Sequence, residues 1–288
     1  MSPRGVHQNE QMARTKDPVA TVQPVAPPVA QGSEAAVSIR SLTVDYEREG
    51  QRVRALHNLD LTVQAREFLA VVGPSGCGKS TLLNVLVGTL QPSGGEVAVN
   101  GVPVTGINRA IGYVTQDDNL LPWRTLIRNI TLPLELRNYP KAERRRLATD
   151  FLRRVSLERF EEHFPYELSG GMRQRANIVR ALIYDPPLMV MDEPFGSLDA
   201  FTRGKMQWLL LDLWESSRKT VVFITHDLAE AIVLADRVAV ISRRPGRVKA
   251  LIDIDLARPR DTFHLKTTAE FHNYYSRIWN LLAEEVAD

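Results

Sequence analysis

Past residue 35, the apolar residues of this chain fall into two textures. In the first, apolar and polar positions alternate singly, as on a sheet with one wet face. Residues 37–40, 42–44 and 59–63 read this way, and 96–104 reads as a hairpin turning at Asn100-Gly101. These segments predict a small antiparallel sheet. In the second texture, residues 68–72, 111–115, 187–191, 221–225 and 238–241 are apolar nearly throughout. A strand covered on both faces requires that pattern. Apolar positions at helical spacing lie between several of these strands, at 82–88, 172–184, 205–218 and 228–235. Buried strands alternating with helices predict a mostly parallel α/β sheet.

Residues 123–164 contain no comparable strand, only helical stretches rich in Arg, Glu and Leu. They predict a helical subdomain inserted at about 120–175, with the arginine run at 144–146 on a solvated helix face. Beyond residue 256 the chain turns polar, and then Phe271, Tyr274, Tyr275, Ile278, Leu281 and Leu282 recur at helical spacing. A C-terminal helical extension over 257–288, packed on the same domain, is expected. The first 35 residues carry Pro3, Pro18, Pro24, Pro27 and Pro28 among Gln, Ala and Val without period. Such a stretch cannot offset chain entropy by burial and predicts a disordered tail over 1–35, ahead of a main domain over 36–256.

Composition narrows the class. Thirty-six Lys and Arg against thirty-four Asp and Glu leave a formal charge of +2, which argues against a broad basic surface for nucleic acid. The single cysteine, Cys77, excludes an intrachain disulfide framework and a multi-cysteine metal site, and it fits a reducing compartment. No apolar run approaches the roughly 20 residues that span a bilayer. The first 35 residues lack the apolar core of a signal peptide. A soluble, cytosolic protein is expected.

The chemistry begins at Gly73-Pro74-Ser75-Gly76-Cys77-Gly78-Lys79-Ser80, which fits the phosphate-loop pattern G-x-x-x-x-G-K-[ST]. An apolar strand precedes it and Thr81-Leu82-Leu83 opens a helix after it. Glycine N–H groups and a positive helix end would face a polyanion there. Lys79 would reach the β- and γ-phosphates, and Ser80 would place its hydroxyl on Mg²⁺. Another buried strand ends in Asp192-Glu193. Asp192 is suited to hold Mg²⁺, and Glu193 to polarise an attacking water. Two further apolar strands end near Gln116 and His226. Four strand ends bearing Lys79, Gln116, Asp192-Glu193 and His226 point to a nucleoside-triphosphate hydrolase. Leu168-Ser169-Gly170-Gly171-Met172-Arg173-Gln174 adds a second anion cradle, with Ser169 as an N-cap and two glycines baring backbone N–H groups. Cys77 has two readings: beside a helix N-terminus and near Lys79 it would favour its thiolate, or it is a small residue filling a loop position.

The segment 168–174 resembles the signature motif of ATP-binding-cassette (ABC) ATPases. The order of motifs is similar too: phosphate loop 73–81, Gln116, signature, 188–193, Ser197-Leu198-Asp199 and His226. The resemblance spans roughly 37–256 and implies a P-loop core with a mostly parallel sheet, a small antiparallel β subdomain and an inserted helical subdomain. It implies ATP and Mg²⁺ as ligands and a head-to-tail pair of chains. Ser169, Gly170 and Gly171 would then contact the γ-phosphate bound to the partner's loop. Gln116 would sense Mg²⁺ and the lytic water, His226 would bind the γ-phosphate, and Asp199 would communicate across the dimer. Tyr46 takes the position of the aromatic that stacks on adenine, though a tyrosine near a strand end equally suits a core.

Leu121-Pro122-Trp123, the segment 195–203 and Arg244-Pro245-Gly246-Arg247 resemble the ATPase subunits of nitrate, aliphatic-sulfonate and taurine importers. That branch implies a peripheral homodimer at the cytoplasmic face of a bacterial membrane, docked on separate permease subunits through residues 116–128, with a solute-binding protein further out. Two features depart from it. Arg66-Glu67 stands where the family has Gly-Glu, and the N-terminal extension lies outside the resemblance. A soluble cassette ATPase outside transport is the alternative, although such proteins carry two cassettes or a coiled-coil insertion. A P-loop GTPase would need Asn-Lys-x-Asp, which the sequence lacks.

Overall fold

The computed structural model describes residues 35–48 and 50–286. Residues 1–34, nearly all of the expected tail, lie outside the described residues. Ala35, placed in that tail by the sequence pattern, already pairs with Gln64.

Strands β1 (Ala35–Arg48) and β2 (Gln51–Gln64) form a long antiparallel hairpin. The pattern had shown only fragments of it, and bulges are the reason. Val37 and Ile39 are buried on odd positions, whereas Leu42 and Val44 are buried on even ones. The parity changes across Ser41, which has a φ of 49° at a register shift. In β2 the change falls at Asn58, with a φ of 46°. After β3 (Phe68–Val72) and helix α1 (Lys79–Val87), strands β4 (Gly94–Val99) and β5 (Val102–Pro103) complete this sheet in the order β2-β1-β4-β5. Asn100 and Gly101 both take positive φ, as the two-residue hairpin turn requires.

The larger sheet has six strands in the order β10-β9-β3-β8-β7-β6. Its members after β3 are β6 (Ile111–Val114), β7 (Leu188–Asp192), β8 (Thr220–Ile224), β9 (Arg237–Ile241) and β10 (Val248–Asp253). From β9 to β6 neighbours run parallel, and β10 pairs antiparallel with β9. All five fully apolar strands of the sequence reading are present. β10 carries no unbroken apolar run, because it is an edge strand with one well-buried residue, Ile252.

The two faces of this sheet bury separate cores. Leu69 and Val71 point toward α1 and the antiparallel sheet, packing with Leu82, Leu83, Leu86 and Ile39. Phe68, Ala70 and Val72 point the other way, into a core built by α4 (Gly170–Leu182), α5 (Ala200–Ser217), α6 (Leu228–Leu234) and α7 (Ala269–Val286). Between β6 and α4 lie α2 (Leu126–Glu135) and α3 (Lys141–Arg154), as the strand-free segment predicted. Arg145 and Arg146 are exposed and paired with Glu161, Glu162 and Asp150, whereas Arg144 turns inward toward Glu135 at 3.6 Å.

Helices α1 and α5 begin earlier than the apolar spacing implied. Gly78 enters α1 at a φ of 104°, a conformation open to glycine, and Asp199 caps α5 by accepting the N–H groups of Phe201 and Thr202. The C-terminal segment is fastened by Arg260, which is 6% exposed. It donates to the carbonyls of Ile232, Val233 and Ala235 at the end of α6, and to Ile254 and Leu256. Burial lowers its pKa to about 10, which still leaves a cation against the negative end of a helix.

The turn into β3 accommodates Arg66 in place of glycine. Arg66 adopts a left-handed φ of 66° and donates its N–H to the Thr220 hydroxyl. A residue with a Cβ is strained there by roughly 1–2 kcal/mol, partly offset by glycine's larger entropy loss. Arg66→Gly is therefore expected to stabilise the fold by about 0.5–1 kcal/mol in a urea unfolding curve. A destabilised variant would contradict this account of the turn.

Candidate functional site

Parallel pairing fixes where the polar residues gather. Val71 of β3 lies opposite Ile224 of β8, Ile224 opposite Asp192 of β7, and Met191 opposite Val114 of β6. The chain therefore leaves all four strands on one edge of the sheet. Two residues past Val71 comes Gly73, two past Ile224 comes His226, and two past Val114 comes Gln116. Asp192 and Glu193 complete the row, and β7 is an interior strand, not an edge.

The phosphate loop is braced from within. The Lys79 ammonium, 8% exposed, donates to the carbonyls of Gly73 at 2.8 Å and Pro74 at 3.0 Å. These bonds bend the loop around a buried cation, and Ser75 and Gly76 remain exposed on its outer side. A Cβ on Gly246 would come within 2.2 Å of the Cys77 carbonyl, and Gly246 N–H donates to Ala55. The 244–247 turn thus backs the loop from behind, a role that its sequence alone did not disclose. Ser80 is exposed at the first turn of α1, and the Thr81 hydroxyl lies 3.1 Å from that of Tyr46. Tyr46 is 37% exposed beside this loop, so it is not a core residue.

Facing the loop, burial pushes the Asp192 carboxyl up; the Ser80 hydroxyl and Lys79 act to lower it, while Glu193 raises it. Glu193 holds a φ of 43°, unusual for a residue with a side chain. Its Oε2 lies 2.8 Å from His226 Nδ1. Gln116 is exposed beyond the edge strand β6. The loop behind Gln116 is clamped by one face of α4, where Arg173 pairs with Asp118 at 2.8 Å and Arg180 donates to the carbonyls of Asp118 and Asn119.

Ser169 caps α4, accepting the Met172 N–H at 3.3 Å. Among the described residues, the hydrogen bonds of Ser169, Gly170 and Gly171 stay within the first turns of α4. A Cβ on Gly171 would strike Thr202 at 2.8 Å, so packing requires that glycine. Gly170 differs. Its Cβ would meet only the Arg173 guanidinium, at 4.0 Å, so nothing inside the chain explains its bareness. The cradle opens to solvent.

The family model described as ABC transporter matches residues 56–196. An uncharacterized ABC transporter ATP-binding protein of Methanocaldococcus jannaschii is 47% identical over 250 residues, 87% of this chain and 92% of that protein. The taurine import ATP-binding protein of Rhizobium johnstonii is 46% identical over 211 residues, 73% of this chain and 80% of that one. A dimeric, post-hydrolysis ATP-binding cassette bound to ADP and Pi superposes with a TM-score of 0.69 at 34% identity, covering 77% of this chain and all of that one.

The chain belongs to the ABC transporter family. It is an ATP-binding subunit of an ABC transporter, an ATPase coupled to transport. Its architecture is the ABC ATPase fold expected from the motifs. No helix among the described residues is long and apolar enough to cross a membrane.

Within this ABC cassette the structure decides between the two readings of Cys77, against the thiolate and for the loop filler. Cys77 is 1% exposed, and burial pushes its thiol up, outweighing the opposite pull of Lys79. A helix N-terminus and a nearby cation favour a thiolate only where the sulfur keeps some access to water. Cys77 fills the underside of the loop. The pairing of Arg173 with Asp118, and of Arg203 with Asp227 and Glu230, is not legible in the sequence, since ion pairs between distant segments leave no local pattern. Alkylation of Cys77 in the folded chain is expected to be slower than that of free cysteine and to need a pH above the ordinary thiol range. Rapid modification at neutral pH, followed by mass spectrometry, would contradict this assignment.

Proposed function

We propose that this ATPase works as a head-to-tail homodimer, each phosphate loop completed by the partner's signature, and powers import of a small anion or organic solute such as taurine, an aliphatic sulfonate or nitrate. The observation that carries the dimer is the cradle open to solvent at Ser169 and Gly170, where Ser169 caps α4 but nothing among the described residues accounts for the bare Gly170. A triphosphate held on Lys79 of one copy would satisfy it. The solute class rests on the relatives named for taurine import and on the Leu121-Pro122-Trp123 and 244–247 segments.

The residue roles are carried over from the motif resemblance, and the placement of Lys79, Glu193 and His226 on one edge of the sheet supports them. Lys79 and the N–H groups of residues 73–81, namely Gly73, Ser75, Gly76, Cys77, Gly78, Lys79, Ser80 and Thr81, cradle the phosphates, while Pro74 gives its carbonyl to Lys79. Tyr46 stacks on the base. Glu193 takes the proton of the attacking water, and His226 both steadies Glu193 and contacts the γ-phosphate. Gln116 reads the occupancy of the site, and Asp199 reads the partner.

Mg²⁺ fits the donor set. Among the described residues no group of three or more His, Cys, Asp and Glu could hold a metal by itself. A hard cation that keeps several waters and phosphate oxygens needs only one carboxylate and one hydroxyl from the protein. Asp192 is half-buried, its carboxyl pushed up by burial and by Glu193, and Ser80 lies beside it. Ser80 and Asp192, with Gln116, would hold the ion, which supplies charge neutralisation on the β- and γ-oxygens.

The dimer would sit on the cytoplasmic face of the membrane, attached through permease subunits, with a solute-binding protein delivering cargo on the far side. Trp123 is 72% exposed, yet its loop is rigid. Buried Asn129 bonds to Leu121 N–H and to the carbonyls of Leu121, Arg124 and Thr125. An exposed indole on a fixed loop is suited to anchor a partner, so residues 116–128 form the permease contact.

Glu193→Gln is expected to bind ATP with wild-type affinity while losing about 100-fold or more of its turnover, since only the proton acceptor is altered. Phosphate release measured beside nucleotide binding checks this. Near-normal hydrolysis would remove Glu193 from the reaction.

A further inference from the structure

Glu230 is 3% exposed, a carboxyl in the first turn of α6 that the chemistry above does not use. Burial pushes it up, with Thr225 and Arg203 acting in the opposite sense. Thr225 donates its hydroxyl to Glu230 Oε2 at 2.6 Å and accepts the Asp227 N–H at 3.0 Å. Gln207 donates to Glu230 Oε1 at 3.3 Å. These bonds tie both neighbours of His226 to one buried group.

Arg203, on the first turn of α5, joins that group to the other loop. Its NH1 donates to Asp227 at 3.3 Å, and its NH2 donates to the carbonyl of Leu198 at 2.9 Å. Leu198 precedes Asp199, and Asp227 follows His226. One planar guanidinium therefore spans the loop expected to meet the partner and the loop carrying His226. The junction also has slack. Arg203 Nε is buried without a hydrogen-bond partner and stops 3.8 Å from Glu230 Oε1. A movement of less than about 1 Å would bring it to bonding distance.

We propose that Arg203 is a positioning residue, coupling the Leu198-Asp199 turn to His226 so that partner contact sets His226 against Glu193. This rests on the reading of His226 given above. A displaced Leu198 carbonyl pulls one arm of the fork, the other arm moves Asp227, and Glu230 captures the freed Nε as the turn settles. Lysine cannot substitute, because a point charge lacks the rigid fork that reaches two acceptors in fixed relation.

The test is a double-mutant cycle on the full chain, comparing wild type, Arg203→Gln, His226→Ala and the pair, with Arg203→Lys alongside. Steady-state hydrolysis gives kcat and KM, a fluorescent ATP analogue gives binding, and thermal melting reports folding. Arg203→Gln is expected to lower kcat roughly 10- to 100-fold with KM and nucleotide affinity within about threefold. Arg203→Lys should show a similar loss. In the His226→Ala background, Arg203→Gln should cost less than about twofold more, since its target is gone. Full activity in Arg203→Gln, or an undiminished further loss in the His226→Ala background, would overturn the coupling while leaving the site intact. A fully active His226→Ala variant would refute the site reading, and the coupling with it.

Discussion

Parallel hydrogen bonding among β3, β8, β7 and β6 is the constraint from which the site follows. It obliges four strands to end on one edge, so that residues scattered from 73 to 226 meet without a dedicated scaffold. It also creates an electrostatic problem. Asp192 and Glu193 are adjacent at the end of an interior strand, where burial and the neighbouring Glu193 both disfavour the charge of Asp192. The Lys79 ammonium, itself held by two carbonyls of its own loop, supplies part of the answer. The cation proposed above to accompany a polyanionic nucleotide would supply the remainder. A site that is electrostatically incomplete alone is prepared to respond when nucleotide arrives.

The same incompleteness appears in the signature. Capping by Ser169 and packing of Gly171 on Thr202 account for the local structure, but Gly170 stays bare toward solvent. Its neighbours are connected inward. Arg173 holds both the Leu168 carbonyl and Asp118, so one guanidinium ties the cradle to the loop beyond Gln116. Events at the phosphates thereby have a physical route to the exposed Trp123 loop, pinned through Asn129.

Much of this was legible because the chemistry is local in sequence. The phosphate loop, the Asp192-Glu193 pair and the Ser169 cradle each sit in a short segment whose residue types state their purpose, and the five core strands declare themselves by unbroken apolarity. What stayed hidden depends on contacts across long separations. The bulges at Ser41 and Asn58 reverse side-chain parity and make one hairpin look like several strands. β10 buries too little to show a pattern. Cys77 was open to two readings for a related reason: its neighbours in sequence favour a thiolate, whereas its neighbours in space exclude water and make it a loop filler. Gly246, nearly 170 residues away, supports the loop by steric fit alone.

The most direct measurement is the mass of the full chain by analytical ultracentrifugation, using the hydrolysis-defective Glu193→Gln protein with and without Mg·ATP. A nucleotide shared between two copies predicts monomers without ATP and dimers carrying two ATP molecules with it. Adding Ser169→Arg should leave nucleotide bound to protein that no longer pairs. Persistent monomers at saturating ATP, or dimers indifferent to Ser169→Arg, would contradict a site built from two chains.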